Sequence, residues 1–258
     1  MEVIEIQGVA RPLGCLPRVA SPGAVYPVFG ERPGGRVIPR AEWRPADFRH
    51  LVAKILDQDG QGSCNAFASV QALMVLRTMA GLPYVELSAG NLYGRINGGR
   101  DQGSTLADAI QKLEAEGVCK ASTVPHLAWR PATWPAGWRE EAKRFRVLEA
   151  WDCPTFDHLA SAIQLGFPVN LGVLVGSNFE PDQDGWVPPR RGEGGGHAMC
   201  GVGLLRRPQS GRWGILVANS WGKSWGLGGF AVLDESYFDG TWTDGWALRG
   251  ATDPTGPE

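Results

Sequence analysis

Hydrophobic residues recur at helical spacing in the first half of the chain, most clearly after residue 63. Over residues 64–80 apolar side chains return every three or four positions, and a Gly-Leu-Pro sequence at 81–83 ends the run. The pattern predicts a helix over 64–80. Ser63 stands in the position of an N-cap, so Cys64 falls in the first turn of this helix.

Three further helices are predicted on the same grounds. They cover residues 88–97, 105–116 and 155–165. The second of them follows Ser104, which is its candidate cap, and ends at Gly117.

The pattern changes after residue 151, where short apolar runs alternate with glycine-rich turns. These runs predict strands over 168–175, 197–205, 213–219 and 229–233. Helices first and strands second favour an α+β fold with two lobes and a cleft between them. A stretch rich in Trp and Pro at 129–138 is the predicted boundary between the lobes.

The chain is therefore predicted to have three parts. Residues 1–36 are rich in Pro and Gly and are expected to form an arm, laid over the body or partly mobile. Residues 37–138 form a mainly helical lobe, and residues 139–258 a mainly β lobe.

Composition and charge exclude several classes of function. A hydrophobic fraction of 43% in 258 residues permits a substantial core. The net charge of −2 arises from interspersed basic and acidic residues, which favours neither nucleic acid nor a membrane surface as a partner. No apolar run reaches the ~20 residues of a membrane span, and no signal peptide is recognised. We expect a cytoplasmic monomer.

The cysteine count is odd, and the five cysteines are widely spaced without a C-x-x-C pair. This spacing favours neither a disulfide framework nor a zinc ribbon. We therefore expect free thiols, no metal and no cofactor.

Cys64 opens its predicted helix, where unpaired backbone amides and the helix dipole favour a thiolate. A thiolate is a nucleophile. The alternative is a structural role, because a buried cysteine in a core helix usually acts as a small hydrophobic residue.

Two downstream stretches change the balance. A Gly-Gly-Gly run at 194–196 leads into His197, and Asn219 ends a predicted strand two residues before Trp221. An asparagine can orient an imidazole, and a tryptophan over that contact can exclude water. A satisfied structural histidine and an Asx turn beside a core tryptophan are the alternatives.

Together these residues resemble the papain-like cysteine peptidases. The sequence has a glutamine, Gln58, six residues before the helix-opening cysteine, then Gly-His-Ala at 196–198 and Asn-Ser-Trp-Gly-Lys-Ser-Trp-Gly at 219–226, in the family's order. The resemblance covers about residues 37–249 and is closest to prokaryote-type members that lack the usual disulfides.

The resemblance implies a helical lobe, then an antiparallel β-barrel-like lobe, with the active site in the cleft. Cys64 would be the nucleophile, paired as a thiolate with a protonated His197, and Asn219 would orient the imidazole. Trp221 would shield their hydrogen bond. Gln58 and the backbone amide of Cys64 would stabilise the oxyanion.

Gln61 is a second candidate for this glutamine role. The resemblance also implies an extended peptide or protein substrate, with Ala198 lining the main specificity pocket. The implied substrate contacts are Gln102, Gly103, Gly196, Ala198 and Trp221.

Two residues depart from the family signature Cys-Gly-Ser/Ala-Cys-Trp/Tyr. Gln61 replaces the first cysteine, and Asn65 replaces the aromatic residue after the nucleophile. The segment before residue 37 lacks the helical periodicity of a long inhibitory prosegment. Activity would then be controlled by the arm, by location, or not at all.

The sequence favours a cysteine endopeptidase over two alternatives. One is a catalytically silent papain-like module that binds another protein. The other is an acyl transferase, in which an amine captures the same thioester.

Overall fold

The structure is a computed structural model that describes residues 2–6, 8–18, 26–238 and 243–252. Five α-helices lie within these residues: α1 Cys64–Met79, α2 Ala89–Ile96, α3 Leu106–Ala115, α4 Trp138–Ala142 and α5 Phe156–Gln164. The strands are β1 Glu2–Ile6, β2 Val9–Leu13, β3 Ala46–Asp47, β4 Val147–Asp152, β5 Val169–Gly176, β6 Trp186–Val187, β7 Gly194–Arg206, β8 Trp213–Ala218, β9 Phe230–Asp234 and β10 Thr243–Ala251.

Strands β3 to β10 form one eight-stranded sheet. Seven strands follow the order β4-β10-β5-β7-β8-β9-β6, and β3 pairs with β7. All these pairs are antiparallel except β6 with β9. In the register of β5 and β7, Val173 lies opposite His197 and Gly172 opposite Ala198. The long strand β7 therefore carries the candidate histidine in the middle of the sheet.

Helix α1 lies between α2 and α3 on one side and the sheet on the other. Its first 14 residues are buried on every face, as expected of a helix enclosed by other elements. Alternate residues of β7 serve two different parts of the core, because successive side chains in a strand point to opposite faces. Cys200 packs in the cluster around α1, whereas Met199 packs on the other face with α5.

The predicted helices and strands are found within a few residues of their expected bounds, but the cap of α3 was assigned wrongly. Thr105, not Ser104, is its N-cap, and the Thr105 hydroxyl accepts a hydrogen bond from the amide of Asp108. Ser104 instead lies in an extended segment. Its carbonyl oxygen and its hydroxyl oxygen accept hydrogen bonds from the side-chain amide of Asn65. Ser63 occupies the N-cap position of α1, yet its hydroxyl has no hydrogen-bond partner among the described residues.

The N-terminal arm contains a hairpin that the sequence did not predict. Strands β1 and β2 pair antiparallel, and Ile4, Ile6 and Leu13 join the core on the α5 side of the sheet. The hairpin packs against β7. Residues 19–25 of the predicted arm lie outside the described residues. No helix in the described part of the chain is long and apolar enough to cross a membrane.

Candidate active site

Cys64 lies at the N-terminus of α1 with its side chain completely buried. Its sulfur is held by the backbone amides of Ala198, Gly14, Asn65 and Cys64 itself. Burial raises the pKa of the Cys64 thiol to about 11, and these amide hydrogen bonds lower it only in part.

The ring of His197 is oriented by Asn219. The distance from His197 Nε2 to Asn219 Oδ1 is 2.7 Å. The backbone amide of Ser220 donates to the same Oδ1 at 2.8 Å, which identifies that atom as the amide oxygen. Nε2 therefore carries the hydrogen, and in the neutral ring Nδ1 is a proton acceptor.

His197 Nδ1 is buried and has no hydrogen-bond partner among the described residues. Burial lowers the pKa of His197 to about 4, with the Asn219 hydrogen bond acting in the opposite direction and the nearby Arg11 charge lowering it further. The imidazole is therefore neutral in this structure, with an unused acceptor in a buried pocket.

Two aromatic side chains cover the imidazole. Trp221 stacks on it with a centroid distance of 4.5 Å and an interplanar angle of 26°. Phe179 meets the imidazole edge-on at 6.4 Å and Trp221 at 5.7 Å. Because both rings are buried, they exclude water from the His197–Asn219 hydrogen bond.

The side chain of Gln58 is fixed with its amide nitrogen toward the cleft. Its Oε1 accepts a hydrogen bond from the Ser220 hydroxyl at 2.7 Å, and its Nε2 donates to the carbonyl oxygens of Gln61 at 2.6 Å and Pro12 at 3.3 Å. The side chain of Gln61 donates elsewhere, to the carbonyl oxygen of Leu127 at 3.0 Å. The geometry favours Gln58 over Gln61 as the donor at the reacting centre.

The arm runs through the cleft directly over Cys64. Backbone hydrogen bonds join Cys15 N to Gly196 O at 3.0 Å, Leu16 N to Ser104 O at 2.8 Å and Ser104 N to Gly14 O at 2.9 Å. Cys15 and Ser104 thus form a parallel β-bridge. The arm fills the space where the sequence places a substrate.

Glycines make this close approach possible. A Cβ atom on Gly14 would lie 2.0 Å from the carbonyl oxygen of Gly62, and a Cβ on Gly103 would lie 2.5 Å from the carbonyl oxygen of Gly14. Gly103 also has a φ of +92°, which favours glycine. A side chain at either position would separate the arm from the cleft.

Three of the predicted substrate contacts, Gln102, Gly103 and Gly196, lie along this arm. Gly196 and Gly103 touch it through the backbone, and Ala198 is buried beside Cys64. Gln102 is exposed and lines a cavity of about 480 Å³ between the arm and the cleft.

One expectation differs from the structure. The resemblance implies a thiolate and an imidazolium, whereas here burial raises the pKa of Cys64 and lowers that of His197. The physical reason is burial, which removes water from both groups and so favours their neutral forms. The ion pair remains a prediction for the uncovered cleft.

Sequence reasoning missed the partners that position these groups. Ser220 orients both Asn219 and Gln58, although it lies inside the recognised motif. Asn65, identified only as a departure, donates to the backbone oxygen of Ser104 and so holds the edge that pairs with the arm. A polar residue at a buried position after the nucleophile was the available signal.

Each of the five cysteines is a free thiol. Among the described residues, no group of three or more His, Cys, Asp or Glu side chains is arranged to hold a metal ion.

Comparison with known proteins agrees with this geometry. The model of the papain family cysteine proteases matches residues 38–238. An uncharacterized peptidase C1-like protein of Acanthamoeba polyphaga mimivirus is 26% identical over 228 residues, covering 77% of this chain and 70% of the viral protein.

Solved structures share the fold. Xylellain, a cysteine protease from Xylella fastidiosa, superimposes with a TM-score of 0.74 at 22% identity, covering 92% of this chain and 95% of xylellain. Bromelain from Ananas comosus gives a TM-score of 0.61 at 17% identity, covering 82% of this chain and 99% of bromelain. Since the family model spans most of the sequence, the chain belongs to the papain family of cysteine proteases.

Proposed function

We propose that this cysteine peptidase hydrolyses peptide bonds with Cys64 as the nucleophile and His197 as the acid and base. One observation carries the assignment. The His197 tautomer set by Asn219 leaves Nδ1 as a buried acceptor without a partner, and the sulfur of Cys64 is held by the amide of the next residue, Ala198. We therefore propose that the Cys64 thiol and the His197 imidazole react as a pair.

The reaction follows from these positions. In the uncovered cleft the proton of the Cys64 thiol passes to His197 Nδ1, and the resulting Cys64 thiolate attacks the peptide carbonyl carbon. The carbon–nitrogen bond then breaks, and His197 returns the proton to the leaving amine. Water, deprotonated by His197, hydrolyses the thioester and restores the thiol.

Gln58 supports the proposed reaction through its amide nitrogen. The carbonyl oxygen of Pro12, 3.3 Å from Gln58 Nε2, stands where a substrate oxygen would receive this hydrogen bond. The backbone amide of Cys64 is the proposed second donor. Two fixed donors stabilise a developing oxyanion better than water does, because they need no reorganisation.

We propose that the arm inhibits the enzyme, so that only the minor population with an undocked arm cleaves substrate. It covers Cys64, occupies the hydrogen-bonding edge at Ser104 and holds both reacting groups neutral. Burial raises the pKa of the Cys64 thiol to about 11, which keeps the thiol protonated at neutral pH. Control by location alone would not require such contacts.

The oligomeric state, the location and the division into lobes are also part of the proposal. We propose a monomer acting on proteins or peptides in the cytoplasm, where five free thiols are compatible with a reducing environment. The division into an arm over 1–36, a helical lobe over 37–138 and a β lobe over 139–258 also remains a proposal.

Hydrolysis of a mixed peptide pool by the full-length protein and two matched variants tests the assignment. Cys64→Ala should abolish cleavage, whereas Cys119→Ala, which also removes a buried thiol, should retain it. Mass spectrometry of the quenched wild-type reaction should find the acyl group on Cys64. Equal cleavage by both variants, or an acyl group on another residue, would contradict the proposal.

A further inference from the structure

A chain of hydrogen bonds joins two backbone segments that contact the arm. The amide of Gly103 donates to the hydroxyl of Tyr93 at 3.2 Å. The Tyr93 hydroxyl donates to Asp101 Oδ1 at 2.6 Å, and the amide of Gly62 donates to the same oxygen at 2.9 Å. These two side chains and two backbone amides are called the Tyr93–Asp101 network below.

Both ends of the network meet the arm at one residue, Gly14. A Cβ atom on Gly14 would overlap the carbonyl oxygen of Gly62, and a Cβ atom on Gly103 would overlap the carbonyl oxygen of Gly14. A substrate backbone that takes the place of the arm would therefore meet both ends of the network.

Each end of the network also leads to a group with a part in the proposed reaction. Gly62 lies two residues before Cys64, whose backbone amide is the proposed second oxyanion donor. Gly103 is followed by Ser104, whose amide and carbonyl oxygen bind the backbone of the arm. The network thus links an oxyanion donor to the edge that would bind an extended substrate.

The Tyr93 hydroxyl is a fixed point in this network. Tyr93 is completely buried in α2, and its ring packs edge-on against Trp129 with a centroid distance of 6.1 Å. Burial and the hydrogen bond to Asp101 raise the pKa of Tyr93, so the hydroxyl keeps its proton and remains a donor. Hydrogen bonds in such a chain polarise and strengthen one another.

The segment before Cys64 has no covalent anchor to the substrate-binding edge. All five cysteines are free thiols, and Gln61 stands at the first cysteine of the family signature. The carboxylate of Asp101 is the group that holds the Gly62 amide.

We propose that the Tyr93–Asp101 network holds the Cys64 amide and the substrate-binding edge in register, which makes Tyr93 and Asp101 positioning residues of the peptidase reaction. The inference rests on the proposed function, since it concerns the same site. Both side chains act through the backbone amides that they bind. Fixed donors stabilise an oxyanion because they need no reorganisation, and a displacement of about 1 Å can cost about 10²-fold in rate.

The competing interpretation is that the network only stabilises the fold. Alkylation of Cys64 by iodoacetamide separates the two, because it uses the activated thiol but forms no oxyanion and binds no extended peptide. Both kcat/KM and the alkylation rate constant scale with the fraction of molecules whose arm is undocked. Docking of the arm therefore cancels in their ratio, and the full-length protein can be used.

The experiment measures this ratio for Tyr93→Phe and for a matched control, Tyr237→Phe. Tyr237 is also buried, and its hydroxyl donates to the carbonyl oxygen of Pro188 at 2.7 Å. Each variant loses a hydrogen-bonded hydroxyl and keeps its ring. The ratio of kcat/KM to the Cys64 alkylation rate constant should fall by about 10- to 100-fold in Tyr93→Phe, and it should stay within about twofold of the wild type in Tyr237→Phe.

Two variants of Asp101 decide the question if Tyr93→Phe does not fold. Asp101 is partly exposed, so both replacements fit. Asp101→Leu is similar in size but has no acceptor, and the ratio should fall as in Tyr93→Phe. Asp101→Asn keeps an acceptor oxygen for Tyr93 and Gly62 and should recover most of the loss. The double variant of Tyr93→Phe and Asp101→Leu should lose at most about threefold more than Asp101→Leu, because both act in one network.

The outcomes separate this inference from the proposed function. Cys64-dependent cleavage with an unchanged ratio in Asp101→Leu or in a folded Tyr93→Phe, or losses that multiply in the double variant, would overturn this inference alone. Absence of any Cys64-dependent cleavage would instead overturn the proposed function and this inference with it.

Discussion

Replacing Ile6 with alanine should release the hairpin from the cleft while the rest of the protein stays folded. Ile6 is 2% exposed and belongs to the core cluster on the α5 side of the sheet. Val3 lies in the same strand but is 58% exposed. Val3→Ala is therefore a matched control that shortens a β-branched side chain in β1 without removing a buried contact.

The size of the effect follows from the burial. Truncation of a buried isoleucine to alanine costs about 2–5 kcal/mol. If this cost falls on docking of the hairpin, the open population rises by at least about 30-fold, since each 1.4 kcal/mol is tenfold. Val3→Ala should change it by less than about threefold.

The assay is alkylation of the full-length proteins by iodoacetamide at pH 8, with the labelled residues located by peptide mass mapping. Undocking exposes Cys15, which lies on the arm, and Cys64, which the arm covers. The other cysteines, Cys119, Cys153 and Cys200, are buried elsewhere in the core and report global unfolding.

Ile6→Ala should label Cys15 and Cys64 about 30-fold faster than Val3→Ala, with the other three cysteines protected in both. Equal rates in the two variants would refute the reasoning that the hairpin gates the cleft. Labelling of all five cysteines together would show that the hairpin is part of the global folding unit and not a separate cover.

Three further predictions address the arm and the reacting groups. Gln58→Ala should lower kcat/KM by about 10²–10³, whereas Gln61→Ala should leave kcat/KM near the wild-type value because the Gln61 side chain donates away from the cleft. A larger loss of kcat/KM in Gln61→Ala than in Gln58→Ala would assign the oxyanion role to Gln61. Gly14→Ala should raise the cleavage rate of the full-length protein, since the added Cβ clashes with the cleft backbone; an unchanged or lower rate would count against inhibition by the arm. Hydrogen exchange of the hairpin amides should show that docking of the arm is nearly independent of pH from about 5 to 8. The docked state holds one proton on Cys64, and the undocked state, with its ion pair, holds one proton on His197, so docking neither takes up nor releases a proton. In the Cys64→Ala variant, docking of the arm should weaken as the pH falls below about 6.5, because burial lowers the pKa of His197 to about 4 only while the arm is bound. If docking in the wild-type protein weakens in the same way, no ion pair forms in the uncovered cleft.

Local sequence signals found the parts of the fold that local physics determines. Helix α1 follows from its apolar spacing, and β7 and β8 follow from apolar runs beside the recognised motifs. Strands β4 and β10 were missed, because neither shows clean alternation and each is stabilised by pairing with a distant partner. Adjacent hydroxyl residues at 104 and 105 made the cap of α3 ambiguous by one position.

The N-terminal arm has two features that the sequence analysis did not predict, its hairpin and its position in the cleft. Buried Ile4 and Ile6 alternate with exposed residues in β1, and Gly8 follows with a φ of +71°, so a hairpin signal was present beside the Pro-rich stretch. No pattern in the sequence indicated that the arm would occupy the cleft. Its contacts run through the backbone of Gly14 and Cys15, which any sequence with small residues there could make. The raised pKa of the Cys64 thiol follows from its burial, which no local pattern in the sequence predicts either.

The most direct test of the central claim is the rate of iodoacetamide labelling of Cys64 in the Ile6→Ala protein from pH 4 to 9. Cys15 of the released arm is an internal standard, because it becomes an ordinary exposed thiol in the same molecules. Cys64 should already label rapidly at pH 5, and His197→Ala should remove this advantage, while Cys15 labelling rises only toward pH 8.5. A Cys64 profile that follows that of Cys15 would contradict an activated nucleophile at the start of α1.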